Sequence, residues 1–249
     1  PGPDGGVTIG ALATLEDISD SPLLAEYPSL ADVVRGVKAI QIQQNGTLGG
    51  DLCCLPNCWY FRRGYGLLAR ESGVLLPEAG DNRYHAIFGN RGPAKFVSAS
   101  RFAPALVAWG ARVRIAGPRS SDERWVPLAE FYIAPKTDQQ GITILKPGQF
   151  VTHVQLPPSE GRISATYEVL EINGLDWPQA ACAATLSLDE FGIVRSAAVV
   201  LGHVAPTPWF SVPAVSELIG RPLTEEAAEA AAAAAISEAT PLSNNGYKV

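Results

Sequence analysis

Residues 46–51 read Gly46-Thr47-Leu48-Gly49-Gly50-Asp51, a run whose types and spacing suggest chemistry. Glycine takes positive φ at little steric cost, so Gly49 and Gly50 can turn successive N–H groups into one hollow. Such a backbone nest binds an anion without a lysine. Thr47 adds a hydroxyl donor. Asp51 only accepts when ionised, so it repels a bare phosphate but takes a hydrogen bond from a sugar hydroxyl. The combination suits a sugar–diphosphate; the alternative for the same residues is a plain tight turn.

A second cluster is Cys53, Cys54 and Cys58, with Cys182 far away in sequence. A tetrahedral metal or an iron–sulfur cluster takes about four soft ligands, and His85 or Cys182 would have to complete the set. Adjacent cysteines seldom both reach one metal, and neither distant ligand stands at a recognisable spacing. Buried, small, nearly apolar side chains are the favoured reading. His85, His153 and His203 have no acid or nucleophile at a telling interval. The sequence has no GxSxG, HExxH, Walker or CxxC pattern, so no general base is named. Any redox chemistry would belong to a cofactor or to another chain.

The surrounding chain bounds these readings. It has 249 residues, 47% of them hydrophobic, enough for one large domain or two ordinary ones. A net charge of −6 without a basic block argues against nucleic acid or an anionic membrane as partner. No uncharged apolar run reaches the ~18 residues of a membrane span. No signal-peptide pattern opens the sequence. Methionine is absent, position 1 included, so a piece of a longer or processed chain is expected. Four cysteines are too few for a disulfide scaffold, which makes a reducing, cytoplasmic compartment the expectation, with the periplasm as the alternative.

Positioning falls to elements that can be read in order. GVTIGA suits a strand, and SDSPLLAEYPSLADVVRGV has helical spacing with Pro near helix starts. Residues 52–94 lack periodicity, which for so long a segment points to function or a partner contact. A helix is expected at about 101–109, then strands, the last being VTHVQLP. Beyond the Pro-rich LPPSEGR, the reading is a strand at ISATYEVLEI, a helix or strand in DWPQAACAATLSLDE, and a strand in GIVRSAAVVLGHVAP. A short helix ending at Gly220 follows, then a long alanine-rich helix capped by Thr224.

Several blocks, in order, carry a resemblance: QIQQNGTLGGDLCCLPNCWYFR, GDNRYHAIFGN, SASRFAPALVAWGARVRI, and VVLGHVAPTPWFSVPAVSELIGRPLTEEAAEAA with ATPLSNNGYKV. From about residue 7 onward the chain resembles the FAD-binding medium subunit of the molybdenum hydroxylases, the xanthine dehydrogenase and carbon monoxide dehydrogenase family. The resemblance implies an α+β fold: the C-terminal part of a PCMH-type FAD-binding domain (1–155), then a smaller α+β C-terminal flavoprotein domain (156–249). It implies FAD on this subunit, reduced by [2Fe–2S] clusters of a small subunit that draw on molybdopterin in a large subunit, and reoxidised by an external acceptor. It places Gly46, Thr47, Leu48, Gly49, Gly50 and Asp51 against the FAD diphosphate and ribityl.

The departures are specific. An AGGTD-like first flavin loop would precede residue 1. Gln43 and Gln44 replace an Arg-Asn pair, Asp51 an Asn, Arg101 an Asp, and Val169 a Lys. Each lost hydrogen bond is worth about 0.5–3 kcal/mol, so a structural subunit without FAD is the competing reading. Relatives similar to hydroxybenzoyl-CoA reductase and the periplasmic aldehyde oxidoreductases carry an added [4Fe–4S] cluster. Cys58 matches its first ligand, but RGYGLLARESGVLLPEAGDNRYHA has no cysteine, so no such cluster is expected.

Overall fold

The computed structural model describes residues 5–172 and 176–249. In chain order the first part comprises β1 (Val7–Gly10), α1 (Leu15–Asp20), α2 (Pro28–Gly36), α3 (Ile40–Asn45), α4 (Leu48–Leu52), α5 (Trp59–Arg62), β2 (Arg70–Glu71), β3 (Val74–Leu75), α6 (Leu76–Ala79), α7 (Phe102–Ala108), β4 (Arg112–Ala116), β5 (Arg124–Pro127) and β6 (Phe150–Leu156). The second comprises β7 (Ile163–Val169), β8 (Ala180–Leu188), β9 (Val194–Gly202), β10 (Trp209–Phe210), α8 (Val212–Leu218) and α9 (Glu225–Ala235).

Two four-stranded antiparallel sheets result, ordered β1-β6-β4-β5 and β10-β9-β8-β7. Their inner faces do not meet. α2 and α7 lie between them, so Ile9, Val113 and Val154 of the first sheet share one core with Ala183 and Val200 of the second. Position explains composition: α7 reads FAPALVA because sheets cover it on two sides, leaving no solvent face to make polar. On the outer face of the second sheet, Leu186, Val194 and Val199 pack on Ala214, Leu218, Ala231 and Ala235 of α8 and α9. Thr224 caps α9 through the Ala227 N–H at 3.2 Å, as its sequence predicts. The ambiguous DWPQAACAATLSLDE segment contributes strand β8: its alternate residues face two cores, and no helix offers that geometry.

The irregular 52–94 segment finds its neighbour inside this chain. Ile87 and Phe88 donate to the Val204 carbonyl at 2.8 and 3.0 Å, and Thr240 donates to the Ile87 carbonyl at 2.7 Å. Asn82 and Asn245, both fully buried, tie the segment to the last residues. The polar residues that obscured any periodicity are therefore the ones that replace sheet hydrogen bonds. Among the described residues no helix is long and apolar enough to cross a membrane.

Candidate functional site

The glycine run does not form the nest its composition suggests. Residues 48–52 are the short helix α4, with Thr47 as N-cap accepting the Gly50 N–H at 3.1 Å. Neither Gly49 nor Gly50 has positive φ. The Leu48 N–H donates to the Ala13 carbonyl at 2.9 Å and the Gly49 N–H to the Ala11 carbonyl at 2.8 Å. These amides dock α4 on the loop after β1 instead of opening into a hollow. Gly49 is glycine for contact: an added Cβ would stand 2.9 Å from both Ala11 Cβ and the Ala11 carbonyl oxygen. Gly46 likewise closes on the Ile42 carbonyl, where a Cβ would stand at 2.6 Å. Gly50 is exposed and meets only the Thr47 hydroxyl.

This arrangement sets the sign of a substitution. Alanine at Gly49 gains up to about 1 kcal/mol of helix propensity, yet its methyl must push two strand-end groups apart, costing about 1–3 kcal/mol. Gly49→Ala is expected to lower the urea midpoint of unfolding. A raised midpoint would show that α4 does not dock on the loop as described.

Asp51 also serves the fold. Its carboxylate accepts the Ser100 hydroxyl, the Arg101 N–H at 3.1 Å and the Phe102 N–H at 3.1 Å. It thus caps α7 from outside that helix, beside the positive end of its dipole. Burial raises the Asp51 pKa, and these three donors oppose the rise. The sugar-hydroxyl acceptor anticipated from sequence is an internal helix cap instead. Asp51→Ala is expected to cost about 1–3 kcal/mol in chemical denaturation, as two amides and a hydroxyl lose their acceptor.

Arg101 turns away from α4 toward the second sheet. Its Nε and Nη2 reach the two Glu168 oxygens at 3.1 and 2.9 Å, a bidentate pair with side chains 12% and 6% exposed. Glu168 lies on edge strand β7, whose residues 164, 166 and 168 meet α2 in sequence. Ser164 Oγ accepts the Ser29 N–H, and Asp32 accepts the Thr166 N–H. The Glu168 carboxylate lies over Gly36, where a Cβ would come within 2.3 Å of Oε2. The alternate residues Tyr167 and Val169 face outward, 75% and 50% exposed. Sequence reading singled out Arg101 but missed Glu168 and Gly36. The pair spans sixty-seven positions, and no local pattern links an edge-strand acid to a helix-start arginine.

Of the cysteine–histidine candidates, the structure joins Cys58 and His85, with Sγ 3.2 Å from Nε2. Cys182 sits on β8 against the α8–α9 core. Among the described residues no group of three or more His, Cys, Asp or Glu side chains is placed to hold a metal. Burial raises the Cys58 thiol and lowers His85 to about 4, so both are neutral at pH 7. His203 is buried at φ +58. Burial first, then the charges of Arg101 and Lys248, lower it to about 3. His153 contacts the hydroxyl of neighbouring Thr152 at 3.0 Å.

Two sheets joined through a helical layer, with Arg101–Glu168 tying that layer to the second sheet, make a two-part α+β protein. The family model "FAD binding domain in molybdopterin dehydrogenase" matches residues 2–159, and that of the "CO dehydrogenase flavoprotein C-terminal domain" matches 165–248. The chain belongs to this family of FAD-binding medium subunits of molybdenum hydroxylases. It is 25% identical over 236 residues to the carbon monoxide dehydrogenase medium chain of Hydrogenophaga pseudoflava, covering 94% of this chain and 65% of the relative. It is 26% identical over 249 residues to the aldehyde oxidoreductase FAD-binding subunit PaoB of Escherichia coli K12, covering 98% and 74%. Its fold is similar to the carbon monoxide dehydrogenase structure from Hydrogenophaga pseudoflava, with TM-score 0.70 and 24% identity over 100% of this chain and 71% of that one. Quinoline 2-oxidoreductase from Pseudomonas putida 86 matches with TM-score 0.67 and 21% identity over 97% and 67%. The chain thus spans just under two thirds of the length of the carbon monoxide dehydrogenase medium chain it matches.

Proposed function

We propose that this chain is the FAD-carrying medium subunit of a molybdopterin-dependent oxidoreductase. In this reading its flavin takes electrons from [2Fe–2S] clusters on a small partner subunit, fed by a molybdopterin centre on a large one, and passes them to an external acceptor. The observation that carries the reading is the match of both family models, in order, over nearly the whole chain. The FAD would supply the redox chemistry. This chain's residues would hold and shield it: the Thr47 hydroxyl still has its proton to donate, and Gly50 leaves an open face for a ligand's backbone-close approach. Leu12, between the two carbonyls that dock α4, is 84% exposed beside them and offers an apolar contact. Asp51 and Ser100 stiffen this wall from behind.

A second reading, a structural subunit that has lost FAD, is favoured by a specific observation. The amides of Leu48, Gly49 and Gly50 and the side chains of Asp51 and Arg101 all have protein partners already. FAD titrated into the full-length protein separates the two. The flavoprotein reading expects saturable quenching of flavin fluorescence, weakened about tenfold or more in Thr47→Ala, one charge-assisted contact being worth about 1.5–3 kcal/mol. Unsaturable quenching would favour the structural subunit.

A further inference from the structure

The end of the second sheet that carries the β8–β9 turn and the α8–α9 turn lies far from α4 and Arg101. Glu168 pairs with Ala181 at the start of β8, and Leu188 closes the other end of that strand. At the ~3.4 Å rise of an antiparallel residue the two ends stand roughly 24 Å apart. Apolar side chains are exposed together at this tip. Phe191 is 78% exposed, and Leu188, Ile219 and Leu223 also reach solvent.

Backbone hydrogen bonds lace the two turns into one surface. The Gly220 N–H donates to the Val194 carbonyl, the Val194 N–H to the Arg221 carbonyl and the Leu223 N–H to the Gly192 carbonyl, at 2.9, 2.9 and 3.1 Å. The Asp189 carboxylate accepts the Phe191 and Ile193 N–H groups, each at 2.9 Å, so the backbone under the Phe191 ring is fixed. That ring buries little area in the fold. A rigidly held, exposed aromatic is the type of residue that anchors an interface, since it has little freedom left to lose on binding.

Charge selects the occupant. Arg195 and Arg221 are already paired, with Asp189 at 2.6 Å and Glu217 at 2.9 Å. Among the described residues no cation stands within 4.0 Å of the exposed Glu190, Glu225 and Glu226 carboxylates. Glu225 and Glu226 suit the first turn of α9. Glu190, in the hairpin turn beside Phe191, serves no helix. A two-fold pairing of this surface with itself would set acid against acid, and an anionic lipid surface is repelled as well. An apolar centre with an acidic rim complements a protein surface of opposite sign.

We propose that this tip docks a protein partner whose contact surface has an apolar recess for Phe191 and lysines or arginines around it. That a partner exists rests on the subunit role proposed above; where it docks rests on the tip alone.

The test is dilution of the full-length protein assembled with its natural partners, followed by sedimentation velocity, with flavin content measured in parallel. Phe191→Asp is expected to raise the concentration at which the partner dissociates at least about tenfold, and to leave the flavin content unchanged. Glu190→Gln should slow association and flatten its dependence on salt. A Phe191→Asp chain that holds its partner as tightly as wild type, a salt dependence untouched by Glu190→Gln, or a wild-type chain that purifies alone or pairs only with itself would each overturn the proposal. Flavin-loaded wild type with an undisturbed Phe191→Asp complex would strike the docking site and leave the flavin-carrying role standing. A flavin-free complex that Phe191→Asp breaks would do the reverse.

Discussion

Glu168→Ala is expected to destabilise this protein by about 3–5 kcal/mol, because it leaves the Arg101 guanidinium buried without its carboxylate. The pair is nearly sealed: the Arg101 and Glu168 side chains are 12% and 6% exposed. It also ties the helical layer to the second sheet, joining the start of α7 to the edge strand β7. The same logic makes the double variant milder than the single one. Arg101→Met with Glu168→Leu removes both charges, and well-packed apolar replacements of buried ion pairs are often neutral or stabilising. Urea unfolding of Arg101→Met, Glu168→Leu and the double variant gives the coupling energy directly. A Glu168→Ala protein within about 1 kcal/mol of wild type would show that water reaches the pair and that it does not clamp α7 to the second sheet.

Acid is the second large lever. His85 and His203 are buried and neutral, with folded pKa values of about 4 and about 3 against an ordinary 6.5. A histidine with a depressed folded pKa binds its proton only in the unfolded state below 6.5. Its contribution is therefore whole above that pH and declines as pH falls toward the folded value. Each histidine is expected to remove about 1.4 kcal/mol per pH unit between about pH 6 and 4. Asp51 and Glu168, raised by burial, work in the opposite sense. Their contribution is whole below the unfolded carboxylate pKa and lost as pH rises through the folded one. His203→Asn separates the two effects, since asparagine tolerates the φ of +58 at this position and does not titrate. The variant's stability should fall less steeply with acid than wild type by about 1.4 kcal/mol per unit. Parallel profiles would mean that His203 is not a buried neutral imidazole.

Much of the fold was legible because its elements carry local signals. The α9 alanines with their Thr224 cap and the alternating residues of β6 depend on nearest neighbours and read correctly. The 52–94 segment was not legible, because its Asn82, His85, Ile87 and Phe88 are held by Asn244, Asn245 and the Val204 carbonyl, partners more than a hundred residues away. The glycine run shows the same limit at one site. Its residue types permit a nest, a turn or a short helix, and the choice is made by Ala11 and Ala13 carbonyls that no spacing rule connects to it. Asp51 and Arg101 were recognised as unusual, but the helix cap and the Glu168 partner that account for them exist only once the two sheets enclose α7.

A flavin carried by this chain is the centre of the proposed function. Flavin released by acid from the full-length protein, purified with its natural partners and without added cofactor, measures that directly. The account predicts one FAD for each copy of this chain. An intact, correctly assembled complex yielding none would contradict it and leave the chain a scaffold.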